Sequence, residues 1–157
     1  MRQVGPYDGA MPGLILQQLP PTSAWASPFE PRLPGFNDGW WIRTWRESGR
    51  DEADALSFFD SGEEVARAML LPHAPQAAHV GLGRLVHPME LARFEVAAHR
   101  QGQGIGRRAV ELMVERYSGQ DLWVHGDAAG FYERTGWMRY NRADGDRSIV
   151  PFFTLHA

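Results

Sequence analysis

The segment Gln101-Gly102-Gln103-Gly104-Ile105-Gly106-Arg107 sets three glycines at alternate positions, with Arg107 and Arg108 following. Glycine lacks a Cβ and adopts backbone conformations closed to other residues. A ligand can therefore approach the main chain closely and meet several N–H donors at once. Where such a cluster opens a helix, the unpaired amides and the positive end of the helix dipole favour an anion, each interaction contributing roughly 0.3–1 kcal/mol. The chemistry implied is phosphate binding. A nucleoside-triphosphate loop needs Gly-Lys-Ser/Thr, but Gly104 is followed by Ile105-Gly106-Arg107, which excludes that reading. The dinucleotide fingerprint is partly met by Gly104-x-Gly106-x-x-Ala109, yet it should open a doubly wound sheet, and only about fifty residues remain after it.

Other chemistries are narrowed by residue type. The chain has no cysteine, which excludes disulfides, thiolate metal sites and a Cys nucleophile. His73, His79, His87, His99, His125 and His156 form no i, i+4 pair and no spacing with carboxylates typical of zinc, so no metal is expected.

The elements that must hold the glycine cluster can be read from local pattern. Glu90–Val96 reads as the strand before it, with Leu91, Phe94 and Val96 apolar. Ile105, Ala109, Leu112 and Met113 then form one face of a helix ending near Gly119. Asp121–His125 reads as a strand. Asp127–Thr135 reads as a second helix, N-capped by Asp127, with Gly136 just past its end. Upstream, Leu14–Leu19 reads as a first strand. Pro20, Pro21, Pro28, Pro31 and Pro34 then keep any helix short. Leu56–Asp60 and Glu64–Leu71 form a hairpin across Asp60-Ser61-Gly62-Glu63, residues 72–83 a loop, and Trp137–Asn141 with Ser148–Leu155 a last hairpin. The class is α/β (α+β): a mixed central sheet of six to seven strands flanked by helices.

The 157 residues suit a single domain spanning 1–157, with 1–13 a loose lead-in. A net charge of −3 gives no basic footprint for nucleic acid. No apolar run suits a signal peptide or a membrane span. The expectation is a soluble cytoplasmic protein with neither nucleic acid nor membrane as partner. All sixteen basic residues of the Lys+Arg count are arginine.

From Glu90 to Trp137 the chain resembles the GNAT superfamily of N-acetyltransferases. Their Gln/Arg-x-x-Gly-x-Gly/Ala signature is met by Gln101-x-x-Gly104-x-Gly106. Their Phe-Tyr-Glu-x-x-Gly-Phe element is met by Phe131-Tyr132-Glu133-Arg134-Thr135-Gly136-Trp137. The resemblance covers about a third of the chain residue by residue. It implies a GNAT-like fold, acetyl-CoA as co-substrate, and acetyl transfer to a primary amine by direct attack with both substrates bound. The acceptor would be a small-molecule or peptide amine, and homodimers are common among relatives. An acyl-CoA-binding sensor without turnover is the alternative.

The same resemblance assigns roles. The coenzyme A pyrophosphate would lie on the amides of Gly102, Gln103, Gly104, Ile105, Gly106 and Arg107, after Gln101. A bulge at Phe94, Glu95 and Val96 would hold the pantetheine arm, with the Val96 N–H polarising the thioester carbonyl. Tyr132 would be the general acid toward the departing thiolate and Glu90 the base, with His87 and Glu95 as weaker candidates. Glu95 also shares a strand face with Arg93 and suits an ordinary ion pair. His125 stands where many relatives place a cofactor-contacting Asn. The acceptor would be walled by 36–47 and 141–148. Trp40, Trp41 and Trp45 offer a cation-binding face there, although the spacing of Trp41 and Trp45 also suits a core helix. Asp38, Glu47, Asp144 and Asp146 are candidates to recognise a positive acceptor.

Overall fold

The computed structural model describes residues 13–22, 26–48, 52–128 and 130–157. The lead-in through residue 12 lies outside the described residues. Seven strands form one sheet: β1 (Ile15–Gln18), β2 (Asp54–Asp60), β3 (Glu63–Leu71), β4 (Met89–Val96), β5 (Asp121–His125), β6 (Met138–Tyr140) and β7 (Phe152–His156). Their order is β1-β2-β3-β4-β5-β7-β6. Only the β4–β5 pairing is parallel. Helix α1 (Asp38–Ser48) covers one face of the sheet, and α2 (Ile105–Arg116) covers the other.

The two faces hold separate cores. Under α2, Ile105, Ala109, Val110 and Met113 pack on Leu56, Phe58, Leu91, Leu122 and Val124. Under α1, Trp41 and Trp45 pack with Phe29, Met69 and Leu71, so these tryptophans are core residues as their spacing suggests. Helix α1 runs for eleven residues because the prolines end at Pro34. Asn37 caps it, its side chain accepting from Trp40 N at 3.1 Å.

Helix α2 ends at Tyr117, whose buried hydroxyl donates to Asp54 Oδ2 at 2.8 Å. Burial, then the Asp54 carboxylate, push this phenol above the usual tyrosine range. The bond ties the helix to the start of β2. Tyr117→Phe should lower the unfolding free energy by about 1.5–2 kcal/mol, the range for a bond to a charged acceptor, as read by urea denaturation. An unchanged midpoint would show that Asp54 is solvated equally well without it.

Two elements differ from the sequence reading. Helix α3 is only Phe131–Arg134, and its N-cap is Gly130 at φ 72 rather than Asp127. The left-handed turn at Gly130 starts the helix late, freeing residues 126–128 to run past the end of β5. Its C-terminus is as read: Gly136 sits at φ 92, Gly136 N donates to Glu133 O at 3.3 Å, and Trp137 N donates to Tyr132 O at 2.9 Å. The last hairpin pairs only β6 with β7, leaving 141–151 as a loop. Pro151 cannot donate to a ladder, and the side chains of Asp144 and Asp146 bond within the loop instead. Within 72–83, Val80 N donates to Asn141 O at 2.8 Å, and Ala143 N donates to Ala78 O at 2.9 Å. That segment is therefore pinned to the late loop.

Candidate functional site

The parallel ladder between β4 and β5 holds only Met89↔Leu122 and Glu90↔Trp123. Beyond Glu90 the two strands part, leaving a fork in the middle of the sheet. Ala97 N donates to Val65 O at 2.8 Å. In an antiparallel pair alternate residues turn their N–H groups to opposite edges. Phe94 and Val96 thus direct theirs away from β3 and into the fork.

The fork opens onto the start of α2. Gly102 (φ 76) and Gly104 (φ 78) take left-handed conformations, and a Cβ on either would meet no protein atom within 4 Å. Gly104 is the N-cap and supplies no side-chain bond. The first intrahelical bond runs from Arg108 N to Gly104 O at 3.2 Å, so the amides of Ile105, Gly106 and Arg107 have no partner inside the helix. Gln101 Nε2 donates to Val96 O at 3.2 Å and fastens the loop to the end of β4. Gly106 has a separate role: a Cβ there would lie 2.8 Å from Phe131 Cε2. Its absence lets the Phe131 ring rest on the helix as a wall.

These parts enclose a cavity of about 540 Å³, which Phe94, Val96, Gln101, Gly102, Gly104, Ile105, Gly106, Arg107 and Tyr132 help to line. Arg100, Ala128, Phe131, Arg134 and Thr135 complete it. Sequence reasoning gave these five no role. Phe131 and Arg134 sat inside a quoted motif, but Arg100 reaches the wall through tertiary contacts that leave no local signal. Arg100 is neutralised by Asp60 (2.5 Å) and Glu63 (2.8 Å), so Arg107 and Arg134 carry the positive charge of the rim. Arg107 Nη2 donates to Arg134 O at 3.2 Å.

Tyr132 is 7% exposed, and its hydroxyl has no hydrogen-bond partner among the described residues. Its ring stacks on Phe153 (5.3 Å, 30°) and meets Trp137 edge-on at 5.4 Å. A Cβ on Gly126, the residue after β5, would lie 2.2 Å from Tyr132 Cε2 and 3.0 Å from Cζ. Gly126 thus seats the hydroxyl end of the ring against the end of β5. Burial, reinforced by the Asp127 charge, pushes this phenol up to about 12.

The remaining candidates lie elsewhere. The β4 bulge is not at Phe94–Val96: Met69↔Arg93 is followed by Leu70↔Leu91, which makes Ala92 the extra residue. It turns Arg93 toward α1, where its Nε donates to Thr44 Oγ1 at 3.1 Å and its guanidinium lies 5.1 Å from the Trp40 ring centroid. Glu95 also faces α1, accepting from Trp41 Nε1 and Asn37 N at 3.0 Å each, and so makes no pair with Arg93. Gln103 accepts from Arg100 Nε at 2.9 Å outside the cavity. Arg108 does not line it. Glu90 is half-buried where the fork closes, on the α1 face, paired with His73 Nε2. His73 stacks on Trp123 at 5.5 Å. His87 is exposed before β4 at φ 43. His125 also faces α1, packed on Phe152 and Trp123. The acids proposed for the acceptor are engaged: Asp38 with Arg32 N and Arg67, Asp144 with Arg142, Asp146 with Ser148. The Glu47 side chain lies outside the described residues. Among the described residues no group of three metal-ligating side chains converges, and no helix is long and apolar enough to cross a membrane.

No family model matches this sequence, and no curated protein does. Solved structures do share its fold. An IAA acetyltransferase from Bacillus cereus ATCC 14579 superposes with a TM-score of 0.55 at 18% identity, over 92% of this chain and 100% of the other. A protein assigned as an acetyltransferase of the GNAT family from Desulfovibrio desulfuricans gives 0.54 at 15%, over 92% and 99%. AtaT, complexed with acetyl-methionyl-tRNAfMet, gives 0.54 at 12%, over 91% and 94%. The seven-stranded forked sheet is therefore the fold of the GNAT acetyltransferases.

Proposed function

We propose that this chain is an N-acetyltransferase carrying an acetyl group from acetyl-CoA to a primary amine, with both substrates bound together. The observation that carries the reading is the fork: two inward-facing strand amides, an uncapped glycine-led helix start and an unpartnered tyrosine hydroxyl around one cavity. Those residues fit a diphosphate with a long thin arm, because the glycine positions leave open the space a Cβ would fill.

In this reading the amides from Gly102 to Arg107 bind the diphosphate. The Phe94 N–H holds the arm. The Val96 N–H donates to the acyl carbonyl oxygen and favours the charge that grows there during attack. Bound acetyl-CoA supplies the activated acyl group as a thioester. The buried Tyr132 hydroxyl, protonated across the working pH range, gives its proton to the departing sulfur. Glu90, held by His73 on the opposite face of the fork, takes the proton from the amine, directly or through water.

Release of free coenzyme A thiol, measured with acetyl-CoA across a panel of amines, tests the reading. Thiol release with at least one amine supports it. Tight acetyl-CoA binding with no release for any amine would favour a sensor. Glu90→Gln should lower kcat/KM about tenfold, below the usual range for a direct base because water can partly substitute, and leave acetyl-CoA affinity within twofold. Full activity in that variant would remove Glu90 from the reaction.

A further inference from the structure

On the face of the sheet opposite the glycine cavity, a second cavity of about 290 Å³ lies beneath the 141–151 loop. Its floor is Phe152, on which the His79 ring stacks at 3.8 Å and 17°. His79 is 7% exposed, and neither ring nitrogen has a hydrogen-bond partner among the described residues. Such buried, unpaired polar groups are rare in folded proteins. Burial pushes this imidazole below the ordinary histidine range, and the Ala77 backbone opposes that shift without completing a bond of good geometry. A neutral imidazole offers one donor and one acceptor. Both point to a ligand that carries one of each.

Charge narrows the ligand further. Arg139, Arg142 and Arg147 contribute to the wall against a single acid, Asp146. Asp146 accepts from Ser148 N (2.9 Å) and Ser148 Oγ (2.6 Å), and Arg142 is held by Asp144. Arg147 has no ion pair among the described residues, so the wall has positive charge to spare. Ile149 and Val150, 40% and 41% exposed, also line the cavity and add apolar surface. The volume holds roughly ten water-sized groups, enough for one amino acid and too little for a folded macromolecular segment.

The cavity adjoins the fork. His125 on its wall pairs with Phe152 in the β5–β7 register, and the next residue, Gly126, touches the Tyr132 ring from the other face. Trp123, 5.7 Å from Phe152, is the register partner of Glu90. From these placements we propose that the cavity is the acceptor site, and that it selects a small amine bearing a carboxylate and an apolar side chain, as in a free apolar α-amino acid. The carboxylate meets Arg147 and the imidazole N–H, and the amine turns toward Glu90 and the fork. The inference rests on the acetyl-transfer reading above.

The test compares phenylalanine, methionine and leucine with phenethylamine and phenylalanine methyl ester on the full chain. Thiol release is read at saturating acetyl-CoA, and isothermal titration of the same compounds is run with and without coenzyme A. The free amino acids should show kcat/KM at least about tenfold above the compounds lacking a carboxylate. Arg147→Ala should erase that preference with the KM for acetyl-CoA unchanged, and His79→Leu should weaken amino-acid binding in the titration. Equal or better use of phenethylamine, or a preference that survives Arg147→Ala, overturns the proposal while leaving acetyl transfer intact. Thiol release only with a peptidyl or RNA-linked amine also overturns it. Should acetyl-CoA neither bind nor turn over, acetyl transfer itself fails. The titration still decides the cavity in that case: no heat with phenylalanine refutes it, and heat lost in Arg147→Ala upholds it.

Discussion

Tyr132→Phe should reduce kcat by about 100-fold or more while acetyl-CoA affinity stays within twofold. The size follows from the usual contribution of a positioned general acid, roughly 10²–10⁴. The selectivity follows from packing. The ring contacts with Phe153, Trp137 and Gly126 involve carbon atoms that phenylalanine keeps, and the hydroxyl has no protein partner to lose. Thermal stability should therefore be nearly unchanged, and a fall in turnover can be assigned to the missing proton. The raised pKa has a definite sign. An unperturbed tyrosine begins to deprotonate near pH 10, whereas this phenol keeps its proton up to about 12. Stopped-flow thiol release across pH should thus show no alkaline loss from Tyr132 below about pH 10. Unchanged kcat in the phenylalanine variant would transfer the acid role to water.

Gly104→Val should weaken acetyl-CoA binding about 100-fold. Valine at φ 78 carries a left-handed penalty of roughly 1–2 kcal/mol, and its branched side chain would enter space that is open at present. Displacing a diphosphate from even two backbone donors removes about 3 kcal/mol of charge-assisted hydrogen bonding, which corresponds to the stated factor. Gly119→Val is the control. It has a similar backbone angle, φ 84, with equally open surroundings, but lies beyond the far end of α2. It should show the same modest loss of stability with normal cofactor binding. Equal affinity in the two variants would detach the glycine loop from the cofactor.

The parts of this design legible in the sequence are those decided by neighbours along the chain. The α2 periodicity, strand β5, the β2–β3 hairpin and the Gly136 helix stop all depend on residues within a few positions of one another. So does the glycine loop. The parts that were not legible depend on contacts between distant segments. The extra residue at Ala92 reverses which face Arg93 addresses, and nothing beside it announces a bulge. Glu95 faces α1 because Trp41 Nε1 and Asn37 N stand 54 and 58 residues away to receive it. The seat that Gly126 makes for Tyr132 appears only once β5 and α3 are brought together. His79 could not have been singled out, because its burial arises from the docking of one loop on another, 78–80 against 141–143. Sequence gave the cofactor half of the site more clearly than the acceptor half for the same reason. One is built on a continuous strand–loop–helix, the other from three separated loops and strand ends.

Amide-resolved NMR of the labelled chain, titrated with acetyl-CoA, tests the proposed cradle most directly. The account predicts that the largest saturable shifts fall on Gly102, Gly104, Ile105 and Gly106, with Phe94 and Val96 moving in step at one shared Kd. Saturable binding that leaves those amides in place while others shift would contradict it.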